Sequence, residues 1–118
     1  MLAAKFRFHG YGALRFLFGH GRTYRFKNLS LRVANNPKRE NSRIAVVISK
    51  KVIKSSPKRN RVRRRVYEAL RTHWDHIKTN HDVIITVYEA AVWDMPHEAL
   101  EAEIVDALHR TDLWRDSK

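Results

Sequence analysis

The stretch Val83-Ile84-Ile85-Thr86-Val87 constrains the fold of this chain more than any other. Successive side chains of a strand point to opposite faces, so a β-branched run that is apolar in both phases belongs inside a sheet. It predicts an interior strand over Asp82 to Tyr88. The run Ile44 to Ile48 is similarly suited to a central strand.

Other segments alternate or repeat at helical spacing. From Thr23 to Ala34 the period is two, with Tyr24 and Phe26 in one phase and Leu29, Leu31 and Val33 in the other. The phase slips near Asn28, which predicts a bulge or a break between two strands. Asn35-Asn36-Pro37 through Asn41-Ser42 is turn chemistry and suggests a β-hairpin with a long basic loop leading into Ile44. Leu14, Leu17 and Phe18 predict a first helix over Tyr11 to His20, closed by Gly21. Ser55-Ser56-Pro57 opens a second, running to about Trp74 with Val62, Val66, Ala69, Leu70 and Trp74 on one face. A third should start near Asp94, with Pro96 in its first turn and Leu100, Ile104 and Leu108 as its buried stripe. The order α-β-β-α-β-α gives an α+β fold in which three helices pack a small sheet. Its 118 residues make one domain, 1–118.

Charge narrows the function. The chain carries a net +12, unevenly: residues 1–74 hold 20 Lys and Arg against Glu40 and Glu68, whereas residues 75–118 hold 4 against 10 acids. One face should therefore meet a polyanion while the C-terminal part turns away. No cysteine is present and no apolar run approaches the ~18 residues of a membrane span, so a cytoplasmic protein with no membrane partner is expected.

The charge concentrates at the second helix, where Lys58, Arg59, Arg61, Arg63, Arg64 and Arg65 are six cations within eight residues. Like charges at helical neighbour spacing repel, so a solvated face is a poor account of them and nucleic acid a good one. On a wheel of roughly 100° per residue, Arg59 and Arg63 border the apolar stripe and line the groove against the sheet, while Arg61, Arg64 and Arg65 point outward. Uncharged Asn60 could read a base edge, bond a backbone group or complete a metal's water shell; the plain alternative is a polar residue with no contact.

These residues resemble the protein component of bacterial ribonuclease P. The match rests on Ser49-Lys50-Lys51, a short spacer, then Arg59-Asn60-Arg61-Val62-Arg63-Arg64, within a pattern that agrees over about residues 6–114. The resemblance implies an α/β sandwich with a small mixed sheet, in which the second helix crosses between parallel strands by a left-handed connection. It implies that a large RNA cleaves the 5′ leader from precursor tRNA with Mg2+, bound chiefly by that RNA, while the protein binds the catalytic RNA and the leader and improves metal affinity. Arg59, Asn60, Arg61, Arg63 and Arg64 carry over as contacts to the catalytic RNA, and Lys50 and Lys51 extend that surface. Lys54, Lys58 and Arg65 complete the basic set. The leader is expected in a cleft between the first helix and the sheet: Phe18 matches one of its aromatics, Leu14 stands where another is often found, and Arg32 holds a strand position often occupied by tyrosine. Such a cleft has more cation and fewer rings, and its binding should depend more on salt. Ala45 replaces a glycine common before the Ser-Lys-Lys strand end.

The other constellations are weaker. His73, His76 and His81 do not match a closed zinc site, and His73 is expected to pack beside Trp74. Glu98, Glu101, Glu103 and Asp106 read as the solvated face of the last helix, and Trp93 and Trp114 as core or rim. No Ser-His-Asp arrangement, phosphate loop or HExxH motif offers a protein-only hydrolytic site, so no catalytic residue, metal site or obligate protein partner is expected. The alternative is a ribosomal or other structural RNA-binding protein. Sequence-specific DNA binding is disfavoured because arginines alone supply phosphate affinity without a varied base code.

Overall fold

The computed structural model describes residues 21–35 and 42–115. In chain order these form β1 (Arg22–Arg25), β2 (Leu29–Asn35), β3 (Arg43–Ile48), α1 (Ser56–Thr72), β4 (His81–Val87) and α2 (His97–Arg110), with 3-10 segments at Trp74–His76 and Ala90–Asp94. The predicted first helix, Tyr11 to His20, lies outside the described residues. The other two helices are present.

β4 occupies the interior place its sequence demands. The sheet order is β1-β2-β4-β3, with β4 antiparallel to β2 and parallel to β3. Val83, Ile85 and Val87 pair with Val33, Leu31 and Leu29 on one side and with Ile44, Val46 and Ile48 on the other. These rows form the sheet's contribution to a core that α1 and α2 complete.

The expected hairpin from β2 into Ile44–Ile48 does not form, because β4 comes between those two strands, and β3, expected as a central strand, stands at the end of the sheet order. A β2–β3 pair would leave β4 at an edge, yet Val83, Ile84 and Ile85 are all buried and the strand needs neighbours on both sides. The hairpin in the sheet is β1–β2, and the phase slip near Asn28 is its turn, closed by the Phe26 N–H donating to the Leu29 carbonyl at 2.8 Å. Glu103 on α2 secures that turn, accepting from the Asn28 N–H at 3.0 Å and from Nδ2 at 2.7 Å.

α1 begins as the sequence indicates: Ser55 is its N-cap, the hydroxyl accepting from the Lys58 N–H at 3.4 Å, with Pro57 in the first turn. Val62, Val66, Ala69 and Leu70 are fully buried, joined by Tyr67, whose hydroxyl donates to the Ile44 carbonyl at 3.4 Å. Trp74 lies beyond the helix end, in the 3-10 segment, partly buried against the core. α2 starts three residues later than expected. Met95, preceding Pro96, is held extended at ψ 138°, as a residue before proline prefers, so the helix cannot run from Asp94 through it. Leu100, Ile104 and Leu108 are buried as predicted, with Ala107 beside them.

One buried ion pair ties β3 to β4. Asp82 is fully buried and accepts from Arg43 Nε at 3.3 Å and Nη2 at 3.4 Å. Below the sheet end, Leu113 is buried and Trp114 bridges to Ile77, fastening the chain's last described turn to the segment after α1. Trp114 stacks on His76 and on His109, ring centroids 4.4 Å away in each case. Among the described residues no helix is long and apolar enough to cross a membrane.

Candidate nucleic-acid interface

The basic segment is built as a turn feeding a helix. The N–H groups of Val52 and Ile53 both donate to the Ser49 carbonyl at 3.1 Å, which leaves Lys50 and Lys51 exposed on the turn while Ile53 is buried beneath it. Lys54 and Lys58 are exposed on either side of the Ser55 cap. Arg59 Nη1 reaches back from the helix to the carbonyls of Ile53 at 2.9 Å and Lys54 at 2.8 Å. Its first role is therefore to brace the turn against the helix.

Asn60 has a partner. Its Oδ1 accepts from Arg63 Nη1 one turn on, so the contact-free reading fails and Asn60 orients a guanidinium. An amide oxygen does this without neutralising the arginine, which a carboxylate would do. Arg61 lies over the Trp93 ring, Cζ 5.0 Å from the centroid, with Lys58 Nζ 5.1 Å from the same ring. Trp93 is a rim residue, as expected, but it sits among the cations. Arg64 is exposed and, with Arg61, Arg65, Glu68 and His97, lines an open pocket of about 560 Å³ between α1 and the start of α2.

Arg65 does not point outward. Nη1 donates to the carbonyls of Val92 at 2.9 Å and Trp93 at 3.0 Å, and Nη2 donates to that of Met95. Carbonyls at the end of a 3-10 turn lack partners of their own, and the planar fork of arginine can take several at once. The helical wheel gives the direction of a side chain but not an acceptor lying 27 to 30 residues away.

All these contacts leave the charge in place. Carbonyls, an amide oxygen and an indole ring are neutral, and among the described residues the side-chain ion pairs Arg43–Asp82, Glu68–Arg71, Lys78–Asp112 and Asp106–Arg110, like the contacts of His73 and His97 with Glu101, all lie outside 50–65. The cationic field stops at Glu68, whose carboxyl is hydrogen-bonded by Arg71 and held below the ordinary carboxylate range by it. Two acids assigned to the solvated face of α2 are occupied instead: Glu103 by Asn28, and Glu101 by His73, whose Nε2 lies 3.4 Å from Oε2. The ring neighbour of His73 is Trp114, at 5.8 Å, where Trp74 was expected. His76 stacks on the same Trp114, whereas His81 turns to the Thr79 carbonyl. Among the described residues no three His, Asp or Glu side chains gather to hold a metal ion.

The second surface is the sheet face away from α1. Arg32 stands on it in a row with Thr23, Ile84 and Ala45, and Nη1 donates to Thr23 Oγ1 at 2.6 Å. The next row is Arg25, Ser30, Thr86 and Val47, the last 43% exposed. The second row has short side chains in its middle, Ser30 and Thr86, and each row carries an arginine on its β1–β2 side. The sequence reading missed Arg25, which lies over the Tyr88 ring at 5.1 Å; its signal was the period-two phase it shares with Thr23 on β1. Leu14 and Phe18, the other expected cleft residues, lie outside the described residues.

A model of the family described as Ribonuclease P matches residues 2–112. The ribonuclease P protein component of Synechocystis sp. is 28% identical over 101 residues, 79% of this chain and 82% of the relative. That of Herpetosiphon aurantiacus is 32% identical over 99 residues, 81% of this chain and 76% of the relative. The RNase P protein of Staphylococcus aureus has the same fold, with a TM-score of 0.82 at 18% identity over 93% of this chain and 98% of that one. The protein from Thermotoga maritima gives 0.74 at 17% identity over 82% and 89%. Matched along nearly its whole length, with its unneutralised cations at the Arg-Asn-Arg signature, the chain belongs to the ribonuclease P protein family, the protein component of an endoribonuclease whose activity is carried by RNA.

Proposed function

We propose that the surface of Lys50, Lys51, Lys54, Lys58, Arg59, Asn60, Arg61, Arg63, Arg64 and Arg65 binds the catalytic RNA of ribonuclease P, and that the sheet face bearing Arg32, with Leu14 and Phe18, takes the 5′ leader of precursor tRNA. The observation that carries this reading is that the described cations of 50–65 have only neutral partners while the arginines of the following turns and of α2 are paired with acids. Phosphate oxygens are the acceptors that such a field lacks.

The residues at this surface do not suit a metal. Their donor set is cationic, with Asn60 as its one neutral side-chain oxygen, so the Mg2+ that serves the cleavage belongs to the RNA. The protein acts by charge: cations set between the phosphates of two RNAs lower their mutual repulsion, and fewer divalent ions are then needed to hold leader and catalytic RNA together. The proposed compartment is the cytoplasm.

The test is leader cleavage by the cognate catalytic RNA across a magnesium series, with and without the protein. The protein alone should cleave nothing, and its addition should shift the magnesium requirement downward. Unchanged cleavage at low magnesium would end the proposal.

A further inference from the structure

We propose that the groove between the 52–55 loop, the first turns of α1 and Trp93 is a slot for one unpaired base of the RNA partner, with Trp93 as the stacking platform and Lys54, Lys58 and Arg61 serving the adjoining phosphates. The proposal rests on the reading that α1 faces RNA. It adds a base-binding subsite to a surface so far explained by charge alone.

The groove has a volume of about 310 Å³, within the ~300–1,000 Å³ range of ligand pockets, and is lined by Val52, Ile53, Lys54, Ser55, Lys58, Ala90 and Trp93. Apolar walls with lysines at the mouth fit an aromatic ring carrying a phosphate. Among the described residues that line it there is no acid to repel that phosphate. The pocket beside Arg64, by contrast, includes Glu68.

Both walls are held in place by arginines that do not reach solvent with their whole fork. Arg59 fixes the 53–54 wall through the carbonyls of Ile53 and Lys54. Arg65 fixes the Trp93 wall through the carbonyls of Val92, Trp93 and Met95, and fully buried Val92 anchors the same turn. The slot is thus formed before any ligand arrives, which lowers the ordering cost of binding.

Trp93 offers the largest aromatic face available to a protein, and stacking on it is tolerant of base identity. In the free protein its ring carries Lys58 at 5.1 Å and Arg61 at 5.0 Å. Trp93 is only partly buried, and a cation over a ring that water still reaches is weakly held, so a base can take the ring while the displaced ammonium or guanidinium moves to a phosphate oxygen.

Trp93→Leu and Trp93→Phe separate stacking from bulk, with Arg64→Ala as the control for the surrounding surface. Affinity for the full catalytic RNA is measured across a salt series. Trp93→Leu should weaken binding by about 5- to 150-fold with the salt slope unchanged, and Trp93→Phe should recover most of the loss. Ultraviolet crosslinking of the wild-type complex should give an adduct between a nucleotide and Trp93. Full affinity in Trp93→Leu, or no adduct at Trp93 should that variant fail to fold, overturns the slot. If Arg64→Ala at the same time lowers affinity and slope, the RNA-facing reading of α1 survives that result; if it changes neither, both fall. Displacement of the RNA from Trp93 by an acidic peptide, with no nucleotide adduct, would assign the groove to protein and also overturn the slot.

Discussion

The two ends of α1 use the same kind of residue in opposite ways. At its start Arg59, Arg63 and Arg65 bond carbonyls and an amide oxygen, and at its end Arg71 bonds the Glu68 carboxylate. A neutral acceptor orients a guanidinium and leaves its charge to act on a partner; a carboxylate orients it and cancels the charge. What distinguishes an RNA-facing surface from an ordinary solvated helix here is thus the choice of acceptors, more than the count of arginines. α2 follows the second pattern, with Arg110 on Asp106 four residues before it.

The largest effect is expected at the arginine that pairs with a buried acid. Arg43 serves the fully buried Asp82, and removing one partner of such a pair costs about 3–5 kcal/mol because the other charge stays buried. Arg43→Met should therefore lower Tm by roughly 10 °C or more in thermal unfolding. A drop of only a degree or two would mean that the pair contributes little to the fold.

Arg65 comes next. Arg65→Ala removes donors from three carbonyls and should cost about 1.5–3 kcal/mol in denaturant unfolding, more than an exposed arginine can. Arg65→Lys should not restore it, since an ammonium cannot span the same fork. Full restoration by lysine would show that charge alone matters at this position.

Arg64 supplies the opposite signature. Exposed, and paired with no acid among the described residues, it should change stability by no more than about 0.5 kcal/mol when replaced by alanine. Its loss should reduce the salt slope of RNA binding by about one unit, the mark of one phosphate contact. An unchanged slope would place that side chain in empty solvent.

What the sequence could not supply has a common cause. The interior position of β4 is legible in five residues because burial on both faces is a local pattern, and the α1 cap and apolar stripe are local too. The order β1-β2-β4-β3 is a contest between strands far apart, and short-range turn chemistry at 35–42 wrongly favours a hairpin. The site divides the same way. Periodicity places the cations on α1, but Arg65 finds its acceptors beyond β4, Glu103 finds Asn28 across 75 residues, and Trp93 joins Lys58 and Arg61 only once the 90–94 turn packs on the helix. Residue type announced the charge, and tertiary contacts decided which charges remain available.

The smallest effect is expected at the boundary itself. Glu68 is hydrogen-bonded by Arg71, which holds its carboxyl below the usual range, so the pair's contribution to folding is complete above the unfolded-state carboxylate pKa and is lost as pH falls through the lower folded one. Both side chains are exposed, so the difference in Tm between the wild type and Glu68→Gln should be slight and flat from pH 8 to pH 6, shrinking only in acid. The same substitution removes the acid that ends the cationic field. Arg71, left with a neutral amide in place of a carboxylate, then resembles Arg63 beside Asn60, and RNA affinity should rise modestly with a salt slope steeper by up to about one unit. A variant that binds RNA no better than the wild type would mean that the interface ends before this turn, and that Glu68 marks a limit already set by the reach of Arg64.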